Sequence, residues 1–206
     1  MRMRAHAAVA CVVALTSVLL ASAPTAAKVR VSEDTSYYKV SGRSGTELGR
    51  AMISGGTRTT RLSHAIAATA TRFSFENPQI VVERGQCVLK HVDVMLEITY
   101  YYPRWDGKSA ASADLRRSWD RFYAELIRHE QMHGTIAKKF ASRIENEMLR
   151  MRGNVALGCR DFGVNAQRRF DKLAAQLKGL QAAFDAREQL SSSRISQLQV
   201  RLLKTR

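Results

Sequence analysis

The sequence predicts an α+β fold in which a small antiparallel sheet packs against a long helix, with a second helix near the C-terminus. Apolar and polar residues alternate with period two over residues 88–102, as in a strand with one face on a core and one in water. Apolar residues recur at three- and four-residue steps over residues 112–151 and again over 165–187, the spacing of amphipathic helices. Because the strand signals precede the helix signals, the two kinds of element are predicted to segregate.

Residues 1–27 have the pattern of a secretory signal peptide. Two arginines lie within the first four residues, residues 7–21 are an uninterrupted run of apolar and small residues, and small residues continue to Ala27. The apolar run is shorter than the roughly 20 residues that a membrane span needs. Cleavage is expected after Ala27, because the other small-residue site, after Ala23, is followed by proline. The mature protein is therefore predicted to be periplasmic or secreted, without a membrane span.

Residues 28–190 are predicted to form one domain, since this length suffices for a single hydrophobic core. Its expected elements are a short strand, a short helix, a strand-like segment ended by a turn at Asn77-Pro78, the long strand, the long helix, a loop and the last helix (37–42, 46–53, 64–75, 88–102, 112–151, 154–163 and 165–187). Residues 191–206 form a basic amphipathic tail that is expected to be solvated.

The chain carries 33 Lys and Arg against 18 Asp and Glu, a formal net charge of +15. Such a balance suits nucleic acid, but predicted export and the lack of a basic block interleaved with aromatic residues argue against that partner. A basic exported protein is better suited to anionic cell-envelope surfaces. Since the charges are spread along the chain, the simplest interpretation is that they lie on a solvated surface.

The long predicted helix contains the segment His129-Glu130-Gln131-Met132-His133. At 3.6 residues per turn its two imidazoles lie on one face, one turn apart, and can reach one metal ion. Glu130 projects beside that ion, where its carboxylate can accept a proton from a metal-activated water, as in peptide hydrolysis. We predict zinc as the cofactor, His129 and His133 as ligands and Glu130 as the catalytic base.

The apolar stripe of the helix supports this interpretation. The two histidines occupy the steps missing from the stripe, so both are expected to face the interior. The stripe consists of Leu115, Trp119, Phe122, Leu126, Ile136, Phe140, Ile144, Met148 and Met151. The alternative is a pair of core histidines that only hydrogen-bond to their neighbours.

Cys87 and Cys159 are the two cysteines of the predicted mature chain. In an exported protein they most simply form one disulfide, which would close a loop containing the whole histidine-bearing helix. The competing interpretation places both thiolates on zinc together with the histidines. The distance of the cysteines from the motif and the oxidising compartment favour the disulfide.

The chain contains further short sequence motifs, in a fixed order, before and after the histidine motif. They are Tyr37-Tyr38-x-Val40-Ser41-Gly42, Cys87 at the start of the long strand, Pro103-x-Trp105 at its end, Trp119-x-x-Phe122 before the histidines, and Cys159. In these residues, across about 36–190, the chain resembles a family of secreted bacterial proteins of unknown function that are predicted to be zinc-dependent proteases. The resemblance implies a periplasmic or secreted metallopeptidase with a disulfide, and it supplies no substrate.

The family pattern ends with an aromatic-Asp pair, a Thr and then His-Gly, and this chain departs from it. Phe184-Asp185 matches the aromatic-Asp pair, but Glu188, Leu190 and Ser191 stand where Thr, His and Gly would fall. If that histidine is the family's third ligand, this chain needs another, since catalytic zinc takes three protein ligands. Asp185 is our predicted third ligand. The other candidates are Glu188, Asp161, His64 and His91.

Two functions from different classes are consistent with these patterns. The first is a secreted or periplasmic zinc metallopeptidase that cleaves a peptide or protein substrate. The second is a catalytically inactive relative that keeps the fold and acts as an envelope-binding or scaffolding protein. The missing His-Gly and the basic composition motivate this second hypothesis.

Overall fold

The computed structural model describes residues 29–60 and 65–206; the predicted signal peptide and His64 lie outside the described residues. The predicted α+β class is confirmed. The elements are β1 (Val29–Val40), α1 (Gly45–Thr60), β2 (Ala68–Glu83), β3 (Gln86–Trp105), α2 (Ala113–Leu149), β4 (Arg152–Asn154), α3 (Arg160–Glu188) and α4 (Arg194–Leu203). None of the helices in the described part is long and apolar enough to cross a membrane.

The sheet is mixed rather than entirely antiparallel. Its order is β1-β3-β2, with β4 paired to the start of β3. β2 and β3 form an antiparallel hairpin, whereas β1 runs parallel to β3 from Val29, opposite Val94, to Val40, opposite Trp105. The alternation within β3 indicates which face is buried, but it contains no information on the direction of a neighbour that α1 and β2 separate from it.

The hairpin reverses later than the sequence predicts. Asn77-Pro78 lies at a register shift within β2, between Glu76 and Gln79, instead of ending the strand. The chain turns at Arg84 and Gly85, which both have positive φ, at 48° and 74°. Two successive residues with positive φ are typical of the tight turns that join twisted antiparallel strands.

The long helix α2 lies across the sheet. The Ser112 side chain caps its start by accepting a hydrogen bond from the Leu115 amide at 3.2 Å. The helix continues through Gly134, where the Tyr100 hydroxyl of β3 occupies the space that a Cβ atom would need. Glycine at this position therefore allows helix and sheet to approach closely, one residue after the second histidine of the motif.

Helix α3 packs beside α2 and is bound covalently to the sheet. It begins at Arg160, directly after Cys159, which forms a disulfide with Cys87 of β3 across a Cα–Cα distance of 5.7 Å. Further along α3, the Phe170 ring contacts the rings of Phe73 and Phe75 on β2 at centroid distances of 6.2 and 5.2 Å. These contacts fix the path of α3 toward the two histidines.

Replacing Cys87 and Cys159 together by alanine is expected to lower the free energy of unfolding by about 4 kcal/mol. The reason is that the cross-link spans 72 residues and removes loop-closure entropy from the unfolded chain. Urea denaturation of the oxidised protein and of the double variant measures the difference. The reduced wild-type protein is the control, since it keeps both sulfurs; unfolding of the reduced and oxidised proteins at the same urea concentration would contradict the prediction.

Residues 191–206, expected to be a solvated basic tail, instead contain the packed helix α4. Leu202 is fully buried in a cluster with Leu48 and Leu115. The amide of Gly45 also donates a 2.9 Å hydrogen bond to the carbonyl of Thr205. The basic composition suggests a solvated segment, but the apolar face of α4 is sufficient to pack this helix against α1 and α2.

Candidate metal centre

Two side chains of α2 and one of α3 converge on a single point. His129 Nε2 and His133 Nε2 lie 3.2 Å apart, because a spacing of four residues places both rings on one face of α2. Asp185 Oδ1 lies 2.8 Å from His133 Nε2 and 3.3 Å from His129 Nε2. The histidine side chains are 13% and 11% exposed, and Asp185 is 40% exposed, so the cluster opens to solvent on the Asp185 side.

The hydrogen bonds of Gln181 determine which nitrogen of His133 carries the proton. The amide nitrogen of Gln181 donates to the carbonyl of His133 at 3.0 Å, so the amide oxygen faces His133 Nδ1, at 2.6 Å. Nδ1 must therefore be the donor, and in the neutral ring Nε2 presents a lone pair to Asp185. Two acceptors 2.8 Å apart need either a shared proton or a bound cation between them.

The spacing of the three candidate ligand atoms is compatible with a tetrahedral divalent ion. Zinc bound at 2.0–2.1 Å in tetrahedral geometry separates its ligand atoms by about 3.3 Å, close to the 2.8–3.3 Å found here. Three protein ligands leave one position for water or substrate, as in catalytic sites. Among the described residues, His129, His133 and Asp185 form the cluster that could hold a metal ion.

The ring of Phe184 forms an apolar wall of the cluster. It stacks on the His129 ring at a centroid distance of 4.9 Å and meets the edge of the His133 ring at 5.0 Å. Burial lowers the pKa of His129 below its ordinary value, and the His133 ring lowers it further, while Asp185 and Glu188 oppose the shift. Both effects favour the neutral imidazole, the form that binds metal.

Glu130 lies beside the cluster, between α2 and the sheet. The residue is 4% exposed, and its Oε2 accepts a 2.7 Å hydrogen bond from the hydroxyl of Thr69 on β2. Burial raises the pKa of the Glu130 carboxyl, and the Thr69 hydrogen bond partly opposes this shift. A carboxylate with a raised pKa is suited to accept and return a proton near neutral pH.

The structure separates the other candidate ligands from this point. Glu188 Oε2 lies 3.7 Å from the Nδ1 of His129, on the side of the ring opposite the convergence. Asp161 is at the other end of α3, where its carboxylate accepts from the Asn154 amide at 3.4 Å. His91 lies on β3, with its Nε2 3.4 Å from an oxygen of Asp93.

Sequence reasoning missed two residues of the centre, Thr69 and Gln181. Thr69 lies in a segment of alternating Ala and Thr, 61 residues before Glu130, so no local spacing links it to the motif. Gln181 had a usable signal, since it precedes Asp185 by four residues and therefore shares its helix face.

One family model matches residues 35–192, which is most of the chain and includes the whole candidate centre; its description is "Bacterial protein of unknown function (DUF922)". Comparison with curated proteins and with solved structures finds no match.

Proposed function

The chain belongs to this bacterial family of unknown function, and from the geometry of its metal centre we propose that it is an exported zinc-dependent peptide hydrolase. The observation that carries the proposal is the convergence of His129, His133 and Asp185 at spacings of 2.8–3.3 Å. The buried carboxylate of Glu130 beside them adds a proton acceptor. Metal-assisted hydrolysis needs protein ligands that leave one coordination position of the metal free for water, and a base next to that water.

Zinc, when bound, would supply a Lewis acid that polarises the substrate carbonyl and makes water acidic. His129 and His133 contribute neutral imidazole nitrogens, and Asp185 contributes one negative charge. Glu130 takes one proton from the water molecule whose oxygen bonds to the peptide carbon. It then delivers that proton to the amide nitrogen as the carbon–nitrogen bond breaks, so the carboxylate is regenerated.

The hydrogen bond from Thr69 fixes the orientation of this base. Thr69 stands opposite Tyr100 in the β2–β3 ladder, and its hydroxyl contacts both Oε2 and the carbonyl oxygen of Glu130, at 2.7 and 3.0 Å. The second carboxylate oxygen is then the one that is available to the reacting water. The sheet thus positions the base while α2 and α3 position the metal ligands.

Two further observations support an exported protein. The first 27 residues have the composition of a cleavable signal, and the Cys87–Cys159 disulfide suits an oxidising compartment. The periplasm or the cell exterior is therefore the proposed location, and a peptide or protein is the proposed substrate. Without residues 1–27, which contain Arg2 and Arg4, the chain has 31 Lys and Arg against 18 Asp and Glu, a net charge of +13 that suits contact with an anionic envelope surface.

The test is metal analysis and peptide hydrolysis with the protein purified after export. We expect about one zinc ion per chain and cleavage of an unfolded protein substrate that stops on chelation and resumes when zinc is returned. His133→Ala is the matched loss-of-site variant, expected to bind no zinc. A protein that binds no divalent metal would overturn the proposal. A zinc-loaded protein that cleaves no peptide would overturn the hydrolase and favour the non-catalytic envelope protein.

A further inference from the structure

We propose that Glu188 is a positioning residue for His129, and that an ion-pair network through Arg128 and Glu125 to Arg194 ties its position to the last helix, α4. The proposal rests on the metal centre of the proposed function and adds how the chain orients one of its ligands. It assigns a role to the C-terminal helix, which contributes no metal ligand.

The two imidazoles differ in how their Nδ1 atoms are supported. The Nδ1 of His133 meets the Gln181 oxygen at 2.6 Å, whereas the buried Nδ1 of His129 has no hydrogen-bond partner within the described residues. Glu188 Oε2, at 3.7 Å, is the carboxylate oxygen that faces it. For the Nε2 of His129 to offer a lone pair to a metal, Nδ1 must carry the proton, and a negative charge beside Nδ1 favours that tautomer.

The side chain of Glu188 is itself held in place. Its Oε2 forms an ion pair with Arg128 Nη2 at 2.7 Å, and its side chain is 21% exposed. Its backbone carbonyl accepts hydrogen bonds from the hydroxyls of Ser193 and Ser196, at the start of α4. The carboxylate is therefore a fixed anion at the junction of α3 and α4, rather than a mobile side chain at a helix end.

The buried carboxylate of Glu125 extends this ion-pair network toward α4. Glu125 is 5% exposed, and each of its oxygens has a cationic partner: Arg128 Nε at 2.5 Å and Arg194 Nε at 3.2 Å. A buried carboxylate loses much of its compensation if either partner leaves. Arg128 is consequently held between Glu125 and Glu188, and α4 supplies the other cation through Arg194.

The geometry also separates positioning from direct ligation. The cluster with His133 and Asp185 forms on the Nε2 side of His129, and Glu188 faces the Nδ1 side. A carboxylate behind a ligating imidazole orients the ring and raises its basicity, and loss of such a partner typically weakens metal binding by about 10–100-fold.

The test uses Glu188→Ala, with Glu147→Ala as the matched control. Glu147, on α2, likewise forms an ion pair with an arginine, Arg169 of α3, and its side chain is 20% exposed. Zinc affinity is measured by competition with a fluorescent chelator, and the tautomer of His129 is measured by ¹⁵N NMR of the metal-free protein. We expect Glu188→Ala to weaken zinc binding by about 10–100-fold and to lose the Nδ1-protonated tautomer, with neither change in Glu147→Ala.

Zinc affinity within twofold of the wild-type value together with an unchanged tautomer in Glu188→Ala would overturn the inference. Failure of the wild-type protein to bind zinc would instead overturn the proposed function. The tautomer measurement would still decide the role of Glu188 in that case, because it needs no metal.

A second pair of variants tests the link to α4. Arg194→Met is expected to weaken zinc binding by about two- to fivefold, since the Arg194 side chain is 80% exposed and ion pairs of exposed side chains stabilise a structure only modestly. Arg194→Lys is expected to restore most of the loss, because it keeps the cation next to Glu125. Wild-type affinity in Arg194→Met would overturn the extension of the network to α4.

Discussion

Replacing Glu130 by glutamine is expected to abolish peptide hydrolysis while zinc remains bound. The amide keeps the shape of the side chain and an oxygen that can accept from the Thr69 hydroxyl, now 2.7 Å from Oε2, but it cannot take a proton from water. General-base catalysis contributes about 10²–10⁴-fold, so the turnover number should fall by at least that range. The three proposed ligand atoms are not altered, and zinc content should therefore equal that of the wild type.

The measurement is the turnover number of each variant on the same unfolded protein substrate, with zinc content and thermal unfolding determined on the same preparation. Glu97→Gln is the control, since this glutamate lies exposed on β3 with its carboxylate 3.9 Å from Arg72. Loss of a buried charge should leave the Glu130→Gln protein at least as stable as the wild type. Hydrolysis at the wild-type rate in this variant would rule out Glu130 as the base.

Replacing Asp185 by alanine is expected to give the largest loss of metal affinity among the α3 variants. Asp185 supplies the one negative charge among the three proposed ligands, and its oxygen lies within 3.3 Å of both imidazole nitrogens. Loss of Asp185 should therefore weaken zinc binding by more than the about 10–100-fold that is typical when a residue behind a metal ligand is lost. Because its side chain is 40% exposed, the substitution should leave the packing of α3 on α2 intact.

Chelator competition measures the affinity of the Asp185→Ala protein, and Asp161→Ala is the control at the opposite end of the same helix. Asp161 was a candidate ligand in the sequence, and its variant is expected to bind zinc as the wild type does. An Asp185→Ala protein with unchanged affinity would show that the third ligand comes from elsewhere.

The extent to which sequence predicts this centre depends on how local each contact is. The placement of His129, Glu130 and His133 follows from helix periodicity alone, because the residues lie within five positions of one another. Asp185 is predicted from the aromatic-Asp pair that it forms with Phe184, but its approach to α2 depends on how α3 packs. That packing involves side chains far apart in sequence, which no periodicity describes.

The same distinction explains the errors in the fold. The alternation in β3 predicts a strand with a buried face, but the parallel partner β1 is chosen by the connection through α1 and β2. The charge of residues 191–206 predicts a solvated tail, whereas the burial of Leu202 depends on a pocket formed by α1 and α2. The composition of a segment indicates which of its side chains favour solvent, whereas tertiary packing determines which of its apolar side chains are buried.

The covalent attachment of α3 to β3 has a thermodynamic consequence for the proposed metal centre. The helix that carries Gln181, Asp185 and Glu188 is attached to β3 at its N-terminus, through the disulfide of Cys159. If cross-linking narrows the range of positions open to these side chains, it strengthens metal binding, and binding must then stabilise the oxidised cysteines by the same free energy. Redox state and metal occupancy would form one reciprocal equilibrium, in which each protects the other.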